Sequence, residues 1–297
     1  MTRSSSNEGR IHGVEYRRLE IRGADYLVGT AGTGPPVVLL HGFPQTHYCW
    51  RQIVPVLAEH HTVIAPDLRG YGASAAPPGG PEGQGYTKRE LAEDMVELAD
   101  ALGFQRFAVV GHDRGGRVAY RLALDHPNRV ERLAVLNVLP TLDQFERMGV
   151  GPSLGYWPWF LLAQPAPFPE RLIAAEREHF LRFVFGSWTD DPTAIDTDAF
   201  AAYVNALDEA TIASMCADYR ASFFLDHEHD LVDRTAGRRI VCPLLLITGA
   251  SETQLTDAED VWRNWAVDVR AETVPGGHFI PEEAPQELAA ALRSFLR

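Results

Sequence analysis

Gly111-His-Asp-Arg-Gly115 follows a short apolar run, Phe107-Ala-Val-Val110, and opens a segment of helical character reaching about Asp125. Strand, sharp turn and helix in that order are the setting of the nucleophile elbow, Gly-x-Ser-x-Gly, with Asp113 where serine is usual. The glycines, with Gly116 behind them, leave room for a nucleophile whose own backbone is strained. The competing reading is an aspartate that caps a helix N-terminus. Aspartate in place of serine selects the reaction. Its carboxylate, with an ordinary pKa of about 3.9, is ionised at pH 7 and attacks without help from a base. On an acyl carbon it would give a labile anhydride, so its useful target is a tetrahedral carbon bearing a leaving group. Displacement leaves an ester on Asp113 that a second step must hydrolyse. That step needs a histidine to activate water and backbone donors to hold the oxyanion.

Both are available. Pro275-Gly-Gly-His-Phe279 lies after the last expected strand and before a helix over residues 285–296, which makes His278 the candidate base. His41-Gly-Phe-Pro44 follows the run Val37–Leu40 and offers the Phe43 N–H, which the Arg114 N–H completes into an oxyanion hole. His41 itself is read as structural.

The elements that must position these groups are legible as alternating patterns. Glu15–Ile21 and Ala24–Gly29, joined at Arg22-Gly23, form a hairpin pattern. Five unbroken apolar runs, at 37–40, 63–65, 107–110, 133–136 and 244–247, are what strands buried on both faces require. Helical segments lie between them, the clearest starting at the capping-box pattern Thr87-Lys-Arg-Glu90 and stopping at Gly103. Strand–helix alternation implies an α/β fold with a mostly parallel, eight-stranded sheet covered on both faces. The alternation breaks after Pro140 and resumes near Pro243, and residues 141–232 hold 15 of the 29 aromatics without a clear strand. The expected organisation is a flexible tail over 1–12, a core of 13–140 and 233–297, and an inserted helical cap over 141–232.

Composition narrows the function classes. A length of 297 with 45% hydrophobic and 23% charged residues excludes disorder and coiled coil. No apolar run nears the roughly 20 residues a membrane span needs. A net charge of -13 without a basic stripe excludes nucleic acid as the partner. Cys49, Cys216 and Cys242 are far apart and without metal spacing, which suits a reducing cytoplasm. Of the 27 basic residues only Lys88 is lysine, so any single arginine says little by its presence alone.

Taken together, the motifs resemble the fluoroacetate (haloacetate) dehalogenases of the α/β-hydrolase superfamily over roughly residues 15–297. The likeness rests on His41-Gly-Phe-Pro-Gln-Thr46, Asp67-Leu-Arg-Gly-Tyr-Gly72, Tyr86-Thr-Lys-Arg89, Gly111-His-Asp-Arg-Gly-Gly-Arg117, Leu139-Pro-Thr141, Leu162-Ala-Gln-Pro-Ala-Pro167, Asp218-Tyr-Arg-Ala221 and Pro275-Gly-Gly-His-Phe279. It implies an α/β-hydrolase fold, a homodimer, no cofactor and a small anionic substrate held by Arg114 and Arg117. Their three-residue spacing at a helix start suits that task, because it places two fork donors on one face beside the nucleophile. It also implies halide contacts from Trp159 and Tyr219, while the histidine that should accompany them is replaced by Pro158. Fluoride, small and strongly hydrated, should suffer most from that lost donor. The acid that orients the base normally ends the strand before Val138, but Asn137 stands there and could accept a hydrogen bond from the imidazole without stabilising its charge. Gly249-Ala-Ser-Glu252 offers a relocated acid in Glu252, with Asp257 in reserve.

Two rival functions remain open at this stage. An epoxide hydrolase would use the same Asp113 and His278 but would need tyrosines to protonate the leaving alkoxide, for which Tyr156, Tyr203 and Tyr219 are candidates. A binding protein with a decayed site is the other. The alternation Asp226-His-Glu-His-Asp230 invites a metal reading, for which a solvated charged loop is the simpler account, and no metal is expected.

Overall fold

The structure, a computed structural model, describes residues 9–150 and 152–297. The expected tail falls mostly outside them. In its described part, Ile11 is buried in the core and its N–H bonds the Tyr16 hydroxyl at 2.7 Å.

Eight strands form one sheet: β1 (Glu15–Ile21), β2 (Ala24–Ala31), β3 (Pro36–Leu40), β4 (Thr62–Pro66), β5 (Phe107–His112), β6 (Val130–Leu136), β7 (Leu244–Gly249) and β8 (Val269–Val274). Their order is β1-β2-β4-β3-β5-β6-β7-β8. The pairs β1/β2 and β2/β4 are antiparallel, and the remaining pairs are parallel. The expected mostly parallel sheet is therefore present. Val37, Val38, Leu39 and Leu40 of β3 have no exposed surface, as strands covered on both faces demand. The coverage comes from α1 (Val54–Leu57), α2 (Lys88–Ala101), α3 (Arg114–Asp125) and, at the far end of the chain, α11 (Ala258–Trp265), α12 (Ile280–Glu283) and α13 (Pro285–Phe295). The start of α2 is fixed by a reciprocal cap: the Glu90 N–H bonds Thr87 Oγ1 and the Thr87 N–H bonds Glu90 Oε2, each at 3.2 Å.

Between β6 and β7 the chain leaves the sheet for a helical insertion. It contains α4 (Thr141–Glu146), α5 (Trp157–Leu162), α6 (Phe168–Ala175), α7 (Arg177–Trp188), α8 (Thr197–Ala206), α9 (Glu209–Ala221) and α10 (His227–Thr235), with a π-helical turn over Ser222–Asp226 joining the last two. The run Asp226–Asp230 is not the solvated loop expected. Asp226, Asp230 and Asp233 recur at helical spacing on one face, are at most 3% exposed and meet cations of the core. Arg121 of α3 bonds Asp230 at 2.5 Å and also reaches Asp233. No helix among the described residues is long and apolar enough to cross a membrane.

Candidate active site

Asp113 sits between β5 and α3 with φ 48° and ψ −115°, the strained backbone of an elbow. Gly42 passes so close that a Cβ there would lie 2.5 Å from the Cβ of Asp113, so a side chain at that position would push Asp113 aside. The two carboxylate oxygens have different neighbours. Oδ1 accepts the Phe43 N–H at 2.8 Å, and Oδ2 lies 3.7 Å from His278 Nε2. Burial by itself would raise the Asp113 pKa, but the facing His278 ring, His112 and Arg114 outweigh it and hold the carboxyl well below its usual range.

His278 is carried on the loop between β8 and α12. Its N–H bonds the Trp188 carbonyl at 2.9 Å, and its ring lies 5.1 Å from that of Trp188 and 5.0 Å from that of His112. Nε2 is buried and has no hydrogen-bond partner among the described residues. Nδ1 is 3.8 Å from Glu252 Oε1. Burial pulls the His278 pKa down, yet Asp113 and Glu252 on either side of the ring prevail and raise it.

The three acid-position candidates separate clearly. Glu252 faces the imidazole, and its own pKa is raised, by burial first and by Glu283 and Asp113, against the pull of His278. Asn137 bonds backbone and does not serve the ring as an acceptor: Nδ2 donates to the Gly277 and His278 carbonyls at 2.9 and 2.8 Å, and Oδ1 accepts the Gly249 N–H at 2.9 Å. It fastens the loop that carries His278. Asp257, the reserve, turns outward and pairs with Arg147 at 2.5 and 2.7 Å.

A cavity of about 240 Å³ opens beside Asp113 and His278, with Arg117, Trp159, Tyr219 and Glu252 in its wall. Arg117 is 3% exposed and bonds only neutral oxygens, the Leu139 carbonyl at 2.9 Å and Thr141 Oγ1 at 3.2 Å. Its Nε has no partner, and no carboxylate pairs with it among the described residues. Burial, then the charge of Arg114, lowers its pKa. Arg114 stands behind the wall. Its Nε bonds Asp218 Oδ2 at 2.7 Å and its Nη2 bonds the Asp218 carbonyl and Ser222 Oγ, while Nη1 is buried without a partner. Both guanidinium carbons lie over the Trp159 ring, at 5.0 Å for Arg114 and 4.6 Å for Arg117, and Arg114 also lies 4.3 Å from the Tyr219 ring centre. Pro158 is buried in the first turn of α5 and is absent from the cavity wall.

Of the other tyrosines, Tyr156 joins Tyr219 in the cavity wall. Tyr203 does not, because its hydroxyl bonds Glu282 in a separate buried cluster with Gln45. His41 accepts the Leu68 N–H at 3.0 Å on Nε2, and burial lowers its pKa to about 4, which suits a neutral structural ring. Sequence reasoning missed Trp188, which packs on His278, and Glu283, whose carboxylate accepts the N–H groups of Gly277, Phe279 and Asp190 at 2.9, 2.9 and 2.7 Å. Glu283 lies five residues after His278 and carried a usable signal in that proximity; Trp188, ninety residues away, carried none.

The alpha/beta hydrolase fold family matches this chain over residues 35–285. The chain is 39% identical over 290 residues to a fluoroacetate dehalogenase of Burkholderia sp, covering 96% of this chain and 95% of that one. It is 35% identical over 279 residues to a soluble epoxide hydrolase of Corynebacterium sp., covering 92% and 94%. Among solved structures it is similar to a proposed alpha/beta hydrolase from Nostoc sp PCC 7120, with a TM-score of 0.92, 42% identity, and coverage of 95% of this chain and 98% of the other.

Proposed function

The chain belongs to the alpha/beta hydrolase family, and from that premise we propose that it hydrolyses the carbon–halogen bond of small 2-haloacids through an ester on Asp113. Asp113 Oδ2, the oxygen facing His278, attacks the carbon that bears the halogen. A C–O bond forms as the C–X bond breaks, and halide leaves with the electron pair. Water then attacks Cγ of the ester while His278 Nε2 takes its proton. Charge develops on Oδ1, where the Phe43 N–H already points at 2.8 Å. Collapse returns the Asp113 carboxylate and the 2-hydroxy acid, the proton passing to the departing alkoxide. No cofactor enters. Glu252 stabilises the imidazolium, and Trp159 and Tyr219 face the departing halide.

The observation that carries this reading is Arg117. A buried guanidinium without a counter-ion is costly, and a carboxylate of the substrate would supply the missing charge in fork geometry. A neutral epoxide would leave it uncompensated. The epoxide reading keeps one observation in its favour, the two phenols of Tyr156 and Tyr219 in the same cavity. The reading carries with it a cytoplasmic location, supported by three free buried cysteines, and a homodimer, supported by the resemblance.

One panel decides between these: halide release from fluoro-, chloro- and bromoacetate beside hydrolysis of styrene oxide. The expected outcome is turnover of the haloacetates, poorest for fluoroacetate because of Pro158, and none of the epoxide. Turnover of styrene oxide alone would replace this reading with the epoxide one. A single turnover in heavy-oxygen water should place the label in Asp113, and label appearing directly in glycolate would exclude the ester.

A further inference from the structure

Lys88 is the only lysine of the chain, and its side chain is 1% exposed. A lysine is almost never buried unless paired, and this one is paired twice. It is the first residue of α2, placed by the Thr87 cap and by its own N–H, which bonds Asp226 Oδ1 at 2.8 Å. Its ammonium bonds Asp218 Oδ1 and lies 3.6 Å from Asp226 Oδ2. The other oxygen of Asp218 receives Arg114 Nε at 2.7 Å and the Tyr71 hydroxyl at 2.9 Å. One carboxylate is thus divided between two cations.

The division matters for Arg114. Held by Asp218 alone, Arg114 would form a closed neutral pair with little to offer an incoming anion. With Lys88 present, Lys88 and Arg114 together balance Asp218 and Asp226, and the charge of Arg117, which pairs with neither, is left over beside Asp113. Burial keeps water from screening these charges, so the surplus is felt across the site. We propose that Lys88 is a positioning residue of the substrate-carboxylate site: by taking a share of Asp218 it leaves Arg114 with charge for the substrate and, through Asp218, fixes the direction of the guanidinium. The inference rests on the anionic-substrate reading above.

Bromoacetate and bromoacetamide, nearly equal in size and different in charge, separate the two. Halide release from each is measured with the unaltered protein, Lys88→Met and Asp226→Asn. The unaltered protein is expected to show the lower KM for bromoacetate. Lys88→Met is expected to raise the KM for bromoacetate about tenfold more than that for bromoacetamide, the size of effect one unit charge has at several ångströms in a partly polar interior. Asp226→Asn removes a negative charge from the same cluster and keeps an oxygen for the Lys88 N–H, so it should move the bromoacetate KM in the opposite direction. Should Lys88→Met fail to fold, the sign of the Asp226→Asn change decides. No preference for bromoacetate in the unaltered protein would overturn the anionic-substrate reading itself. A preference that neither variant alters, or an equal loss on both substrates, would overturn the role of Lys88 alone.

Discussion

On the proposed mechanism, two side chains next to His278 divide a task that one carboxylate could perform. Glu252 supplies charge to Nδ1 from 3.8 Å, and Asn137 supplies hydrogen bonds to the backbone that carries the ring. Glu252→Gln should therefore slow hydrolysis of the ester by about 10²-fold or more while sparing its formation, so that intact mass spectrometry finds the adduct on Asp113. Asn137→Asp should slow turnover as well, because a carboxylate would face the Gly277 and His278 carbonyls that the amide now serves. Acceleration by Asn137→Asp together with an inert Glu252→Gln would return the acid to position 137. The pH dependence follows from the same neighbours. His278 must be neutral to accept a proton; Asp113 and Glu252 raise its pKa while Asp113 is a free carboxylate, and esterification removes the Asp113 charge, so ester hydrolysis should gain as pH rises through a value below that of the free His278. Asp113, held well below its usual range, sets no limit there. Glu252→Gln removes one of the charges that raise His278 and should move the acidic limb of the kcat profile downward.

At the scale of elements, the loop from β8 to α12 is held from three sides, by Asn137, by the Trp188 carbonyl and by Glu283. Glu283 is the point where the helical insertion and the His278 loop share an acceptor, because it receives N–H groups from Asp190 of one and from Gly277 and Phe279 of the other. Glu283→Ala strands those donors. It should cost about 1–3 kcal/mol in urea unfolding and slow ester hydrolysis more than ester formation, since only the former needs the base in register. Of these contacts only Glu283 left a trace in the sequence, through its nearness to His278. The strands and the elbow were legible because their signals are local: runs such as Val37–Leu40 and five consecutive residues around Asp113. Asp257 misled for the opposite reason. It stands in reserve as the next carboxylate after Glu252, but the 3-10 turn Thr253–Leu255 carries it outward to Arg147. Asp226 and Asp230 misled because a helix collects on one face, with Asp233, what the sequence spreads among histidines.

Across the whole molecule, the insertion meets the core through charge. Asp218, Asp226, Asp230 and Asp233, all at most 3% exposed, descend from α9, the π-helical turn and α10 onto Lys88, Arg114 and Arg121 of α2 and α3. A protein of net charge -13 thus spends three of its cations inside, at the seam that also backs the cavity beside Asp113. Breaking one of these pairs leaves an uncompensated buried charge, so Asp218→Asn should cost about 3–5 kcal/mol at pH 7. The acid dependence has a definite sign. Burial opposes ionisation of Asp218, but Arg114 and Lys88 prevail and lower its pKa from 3.8 to about 2. A carboxyl whose folded pKa is depressed contributes stability that is fully present above its unfolded value and is lost as pH falls toward the folded one. The gap between the unaltered protein and Asp218→Asn, measured by urea unfolding, should be constant from pH 7 to about 5 and narrow steadily between about 4 and 2. A gap that is already small at pH 7 would mean that the seam is held by packing and that these aspartates are not what seats the insertion on the core.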